Sequence, residues 1–334
     1  MELSLWSSNV ARPSMKMRAI ALTVLVAGLC AQGQAQEVTM ELAIRRSFKG
    51  KSVTLKQLLV LPSASGRFAA VILHHGSSGV SERERRYARE LGKLGVATMV
   101  LDSFKGRGVS STVRDQAALS SFEMLEDAFA ALEALARQPQ IDTTRVGIVG
   151  FSKGGSVALL AAHERRAARS LPDGLRFALH VPFYPACTNH YHKPKSTGAP
   201  IYLLLGGADT YVGVAPCQEY AAALQAEGAS IETTVFPGAR HGFDGPSAYQ
   251  HPQGENWSRC VFVEQPDGTW KERTSAITTN AADGKRIEAG YRQALARCRT
   301  YGVSGGPDEA AKVKSMAALK SYVQRHLLAE KGRE

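Results

Sequence analysis

The chain has 334 residues, of which 44% are hydrophobic and 21% charged, with a formal net charge of +11. That length can hold two domains, but an α/β fold of this size is commonly one, and no internal repeat or low-complexity tract divides the chain. The positive charge is spread out: Arg83, Arg85, Arg86 and Arg89, or Arg165, Arg166 and Arg169, sit in mixed-charge helical stretches, which reads as solvated helix faces and argues against a nucleic-acid surface.

In chain order, Lys16 and Arg18 precede an apolar run over residues 19–30, and Gly33-Gln34-Ala35 supplies small residues of the kind found at cleavage sites. This is the pattern of a secretory signal peptide, so residues 1–35 are set apart from the fold and the protein is expected to be exported, periplasmic or secreted. The run is too short to cross a bilayer comfortably, and no integral membrane span is expected after signal removal. Residues 1–14 lack targeting character, which makes Met15 and Met17 rival starts. Residues 36–334 are expected to form a single domain. It opens with strands at 38–44 and 53–61 that form an antiparallel hairpin at a sheet edge. Buried strands at 69–73, 96–101, 146–149, 175–181, 201–205 and 231–236 then alternate with helices at 83–94, 123–137, 156–162 and 214–226. On the helix at 123–137, Leu125, Phe129, Leu132 and Ala136 share one face. Continuous apolar strands between helices predict a mostly parallel sheet covered on both faces. The stretch 244–284 breaks the rhythm with Pro, Gly, Asn and Trp and one short β-like run at 260–264; it reads as an insertion before helices near 281–301 and 307–328.

The chemistry is concentrated at Gly150-Phe151-Ser152-Lys153-Gly154-Gly155, directly after the strand at 146–149. A serine on a sharp strand-to-helix turn needs a strained backbone and neighbours without a Cβ, which is what this spacing offers. A serine hydroxyl is a poor nucleophile unless a base is within hydrogen-bond reach, and the base needs an orienting acid. Asp209 follows the strand at 201–205 and His241 follows the strand ending at Phe236, so Ser, Asp and His each stand after their own strand. Carboxyl ends of parallel strands share one edge of the sheet, which is where the three converge. Rival readings are Asp209 as a helix cap, and Asp102 or Asp244 as the acid. For the oxyanion, the backbone N–H of Lys153 is one donor. Ser77 in His74-His75-Gly76-Ser77-Ser78-Gly79 is the other, with Ser78 the alternative and His75 shaping the loop. Phe104 and Arg107 lie in a glycine-rich stretch without P-loop spacing and read as substrate-side or structural groups.

Cys30 leaves with the signal, so Cys187, Cys217, Cys260 and Cys298 remain. An even count in an exported chain favours disulfides, and Cys187 with Cys217 and Cys260 with Cys298 each fall within one local region. No Cys-x-x-Cys spacing exists, and His190 and His192 lack an accompanying carboxylate, so no metal is expected.

With these residues assembled, the chain over roughly 69–241 resembles the dienelactone hydrolase branch of the α/β-hydrolase superfamily. The carriers are His75-Gly76-Ser77-Ser78-Gly79, Leu101-Asp102-Ser103-Phe104, the Ser152 turn, Gly206-Gly207-Ala208-Asp209 and His241-Gly242-Phe243. The resemblance implies an α/β-hydrolase fold with Ser152 as nucleophile, Asp209 as acid and His241 as base. The namesake enzymes carry cysteine where this chain has Ser152, so dienelactone itself does not follow as substrate. The expectation is a cofactor-free serine hydrolase that cleaves a small-molecule carboxylic ester or lactone through an acyl-enzyme. A peptidase or acyltransferase on the same triad is the alternative, and oligomeric state is left open.

Overall fold

The computed structural model describes residues 35–44 and 53–329. The expected signal peptide lies, except for Ala35, outside the described residues. Strands β1 (Gln36–Ile44) and β2 (Val53–Leu61) pair antiparallel along their whole length. They are followed by β3 (Phe68–His74), α1 (Glu82–Gly92), β4 (Ala97–Leu101), α2 (Ser121–Ala136), β5 (Ile141–Phe151), α3 (Lys153–Ala161) and α4 (Glu164–Ser170). Next come β6 (Leu179–Phe183), the short β7 (Asn189–His190), β8 (Ile201–Gly206), α5 (Ala215–Ala226) and β9 (Ile231–Phe236). The large sheet has the order β1-β2-β4-β3-β5-β6-β8-β9. The β2–β4 pairing is antiparallel and every pairing from β4 to β9 is parallel, so this is a mostly parallel α/β sheet with β5 at its centre.

Both faces are covered because the strands alternate with period two. Ala70 and Ile72 of β3 pack with Met124, Phe129 and Leu132 of α2 on one side, whereas Val71 and Leu73 pack with Tyr87 and Leu91 of α1 on the other. Helices α1 and α2 both begin in capping boxes, Ser81 with Glu84 and Ser120 with Glu123.

Two sequence-based expectations change. The strand expected at 175–181 lies further along, over Leu179–Phe183, with Pro182 inside it opposite Gly150. Proline has no N–H for a ladder, which is why the sequence reads as ending at Val181. After β9 the chain forms β10 (Tyr249–Asn256), β11 (Phe262–Glu264), β12 (Trp270–Glu272), β13 (Thr278–Asn280), α6 (Glu288–Cys298), β14 (Thr300–Gly305) and α7 (Glu309–Val323). The helix expected near 281–301 is therefore the shorter α6. Residues 300–305 form instead a strand antiparallel to β10, so the structural excursion continues past Gly284. Strand β10 carries Pro252 and Gly254 and no apolar alternation, so backbone pairing holds it without a hydrophobic pattern. Strands β13, β12, β11 and β7 make a separate four-stranded sheet.

Disulfides join Cys187 to Cys217 and Cys260 to Cys298, each with Cα atoms 5.0 Å apart. No helix among the described residues is long and apolar enough to cross a membrane.

Candidate active site

Ser152 sits between β5 and α3 with φ 54° and ψ −114°, a backbone conformation that L-residues rarely adopt. Close packing around the turn imposes it. A Cβ on Gly150 would lie 1.9 Å from the Gly154 carbonyl oxygen, and one on Gly154 would lie 2.2 Å from that of His74. Only hydrogen at both positions lets the first turn of α3 settle onto β5 and β3. The Ser152 amide donates to Phe183 O (3.0 Å), which ties the turn to β6.

The loops after β8 and β9 meet through their backbones, the Gly207 amide donating to Phe236 O (2.8 Å) and that of Ala208 to Ala239 O (2.9 Å). They bring Asp209 and His241 beside the serine. His241 Nε2 lies 2.8 Å from Ser152 Oγ, and His241 Nδ1 lies 2.6 Å from Asp209 Oδ2. The other carboxylate oxygen of Asp209 accepts the amides of Tyr211 (2.8 Å) and Val212 (3.1 Å). Burial alone would raise the Asp209 pKa, but the facing His241 and these donors outweigh it and hold it below the ordinary carboxylate value. An ionised Asp209 accepts the Nδ1–H, which leaves the Nε2 lone pair facing the serine hydroxyl. The imidazole is wedged between the rings of Tyr184 and Tyr211, at centroid distances of 4.8 and 4.7 Å. Behind it, the Gly306 amide donates to His241 O (3.0 Å), so the chain leaving β14 braces the histidine loop.

The loop of Gly76 and Ser77 lies against the serine: a Cβ on Gly76 would be 3.2 Å from Ser152 Cβ. Ser77 is buried and lines the cleft with Ser152 and Lys153, whereas Ser78 is exposed. The Lys153 amide is in the first turn of α3, where helical N–H groups have no intrahelical partner. The Ser77 loop is clamped by Thr112, whose amide donates to Ser77 O (2.8 Å), and by the Ser77 hydroxyl donating to Gln116 Oε1 (3.1 Å). His75 donates from Nδ1 to Gly76 O (2.7 Å) and accepts the Ser103 amide at Nε2 (3.1 Å). Burial lowers its pKa, so it is a neutral strut of the loop.

The rival groups are engaged elsewhere. Asp102 accepts the amides of Phe104 (2.9 Å) and Lys105 (3.0 Å). Arg107 forms a bidentate pair with buried Asp127, both contacts at 2.7 Å. Asp244 accepts the Tyr184 hydroxyl (2.5 Å), which also receives a hydrogen bond from Arg83 (3.1 Å). His190 donates to Cys187 O (3.1 Å) and accepts from Arg273 (3.0 Å). Among the described residues no group of three or more His, Cys, Asp or Glu is placed to hold a metal ion.

Sequence reasoning did not find Tyr184, Tyr211 or the Lys153 side chain. Tyr184 follows the strand that Pro182 disguises and has φ 34°, for which its sequence gives no signal. The Lys153 ammonium is buried, donating to Thr112 Oγ1 (3.0 Å) and Gln116 O (2.8 Å), and burial lowers its pKa to about 7.

A parallel sheet that presents a serine on a strained strand-to-helix turn, within hydrogen-bond reach of a His–Asp pair, is the architecture of a serine α/β-hydrolase. The comparisons agree. The sequence pattern of the Dienelactone hydrolase family matches residues 55–261, more than half of the chain, and the protein belongs to that family. A Methylorubrum extorquens protein named provisionally as a carboxymethylenebutenolidase is 25% identical over 210 residues, covering 60% of this chain and 72% of its own. A Bradyrhizobium protein named provisionally as a 2-oxo-3-(5-oxofuran-2-ylidene)propanoate lactonase is 28% identical over 198 residues, covering 55% and 77%. In fold, the chain is similar to a dienelactone hydrolase-like promiscuous phosphotriesterase from metagenomic libraries, with TM-score 0.55 and 16% identity over 88% of this chain and 99% of the other. The protein is a serine hydrolase acting on carboxylic esters or lactones.

Proposed function

We propose that hydrolysis runs through an acyl-enzyme on Ser152. The observation that carries this is the continuous hydrogen-bonded line from Ser152 Oγ through His241 to Asp209, at 2.8 and 2.6 Å. His241 Nε2 takes the Ser152 proton as Oγ attacks the carbonyl carbon, and Asp209 stabilises the imidazolium that forms. The oxyanion accepts hydrogen bonds from the amides of Lys153 and Ser77. Collapse breaks the ester C–O bond, and His241 returns its proton to the departing alkoxide, which in a lactone stays tethered to the acyl group. Water activated by His241 then releases the acid and restores Ser152. Small-molecule esters or lactones are the substrates, as the names of both curated relatives suggest. Those names give no support to the peptidase or acyltransferase alternative. Residues 36–334 act as one domain whose insertion walls the cleft, and the two disulfides support export to an oxidising compartment. The test is labelling with a fluorophosphonate: wild-type protein is modified at Ser152 and loses esterase activity, whereas Ser152→Ala is neither labelled nor active. Labelling at another residue, or turnover by Ser152→Ala, refutes the assignment.

A further inference from the structure

The excursion after β9 walls the cleft, which encloses about 530 Å³, with Phe262, Trp270 and Tyr291 among its lining residues. Through Glu255 of β10 it also reaches the reacting end of that cleft. The Glu255 amide donates to Val113 O (2.9 Å), and its carboxylate, paired with Arg299, accepts the Gln116 amide (2.8 Å). On the other side, the Gln116 carbonyl receives the Lys153 ammonium (2.8 Å). The backbone of Gln116 is thereby pinned between the excursion and the residue that follows the nucleophile.

Its side chain spans two further loops. Oε1 accepts the Ser77 hydroxyl (3.1 Å), and Nε2 donates to the Tyr211 hydroxyl (3.1 Å). The two hydroxyls also interact with each other, which closes a triangle of side chains. Tyr211 packs on the His241 ring and gives its amide to Asp209. A primary amide carries an acceptor and a donor on one flat group, which is what a bridge between two hydroxyls needs. The Ser77 carbonyl is held as well, accepting the Thr112 amide (2.8 Å) and the Ser111 hydroxyl (3.2 Å). These contacts fix the carbonyl and the hydroxyl of residue 77 and do not engage its amide. Residues 77, 153, 211 and 255, far apart in sequence, thus converge on one glutamine, and none of these hydrogen bonds goes to the triad itself.

We infer that Gln116 is a positioning residue: it sets the Ser77 amide against the His241–Asp209 side of the site, so that the oxyanion meets its second donor already in place. The inference rests on the serine reading above, in which that amide receives the oxyanion. A donor aimed in advance at developing charge acts on the transition state, so a misaimed amide lowers kcat more than it weakens substrate binding.

Gln116→Leu keeps the backbone bonds to Glu255 and Lys153 and removes both side-chain bonds. With p-nitrophenyl acetate its kcat should fall about 10- to 100-fold, less than the roughly 10²–10³ of losing an oxyanion donor outright, with KM nearly unchanged. The ketone 2,2,2-trifluoroacetophenone bonds Ser152 Oγ through its carbonyl carbon as the serine proton passes to His241, which leaves an oxyanion on the adduct. Its inhibition should weaken in parallel with kcat, while that by acetophenone stays unchanged. Gln116→Asn, too short to reach both hydroxyls, should show the same split and serves if the leucine variant does not fold. In the Ser77→Ala/Tyr211→Phe background, which retains the Ser77 amide, Gln116→Leu should change kcat by less than about twofold, since its partners are gone. Unchanged kcat in the folded Gln116 variants, equal weakening of both ketones, or an undiminished effect in that background overturns the positioning role. Turnover by Ser152→Ala removes the serine reading and this inference with it. An inactive Ser152→Ala beside fully active Gln116 variants removes this inference alone.

Discussion

Removal of the Cys260–Cys298 bridge is a demanding test of how the cleft wall is held. The bridge spans a sequence separation of 38 residues. Loop closure in the unfolded chain then gives it about 3.9 kcal/mol at 25 °C. Cys260 is fully buried and Cys298 nearly so, and alanine at both positions keeps the site apolar. The double variant Cys260→Ala/Cys298→Ala is therefore expected to lose about 3–4 kcal/mol in urea-induced unfolding, with a steeper slope because the unbridged unfolded chain exposes more surface. The bridge from Cys187 to Cys217 spans 30 residues, so its removal should cost nearly the same, about 3.7 kcal/mol. Chemical reduction of the wild-type protein should reproduce both losses together. A cost below about 1 kcal/mol for the first pair, with the bond verified by mass spectrometry, would refute the reasoning. It would mean that the segment between the cysteines opens independently of the global transition.

Other outcomes follow from the site. Asp209→Asn presents an amide to His241 Nδ1 and favours the wrong tautomer; kcat for ester hydrolysis should fall about 10⁴-fold with little change in KM. Gly154→Ala forces a methyl group within 2.2 Å of the His74 carbonyl and 2.6 Å of that of His75. It should cost about 1–3 kcal/mol in thermal or urea unfolding and depress kcat by shifting the oxyanion loop. Lys153 has its pKa lowered to about 7 by burial, so between there and the unfolded value near 10.4 the unfolded chain binds the extra proton. Its contribution therefore favours folding increasingly as pH rises from 7 to 10, and the urea midpoint of Lys153→Met relative to wild type should fall across that window. A constant difference would count against a buried, neutralised amine.

The meeting of Ser152, Asp209 and His241 was legible because each carries its own local signature. Glycines on both sides of Ser152 mark a turn that tolerates no Cβ, and Asp209 and His241 follow apolar strands into glycine-containing loops. The supporting residues left no such mark. Tyr184 flanks His241 only because β6 runs through Pro182, which the rule against proline in central strands disguises. Strands β10 and β14 pair through their backbones and mix exposed with buried residues without alternation, so no hydrophobic period marks them. Lys153 shows a further limit: its amide role follows from its place after the nucleophile, but its buried ammonium depends on Thr112 and Gln116, far away in sequence.

The disulfide between Cys260 and Cys298 also fixes the two ends of one segment of the cleft wall. Its Cα atoms are 5.0 Å apart, a gap that one inserted residue spans, so residues 261–297 leave the excursion after β9 and return to it at nearly a single point. The family pattern stops at residue 261, immediately after the first of these cysteines. That segment is thus a cassette. Evolution, or a protein engineer, can exchange or delete it without re-registering a strand of the main sheet, altering which molecules reach Ser152 while the apparatus that cleaves them stays in place.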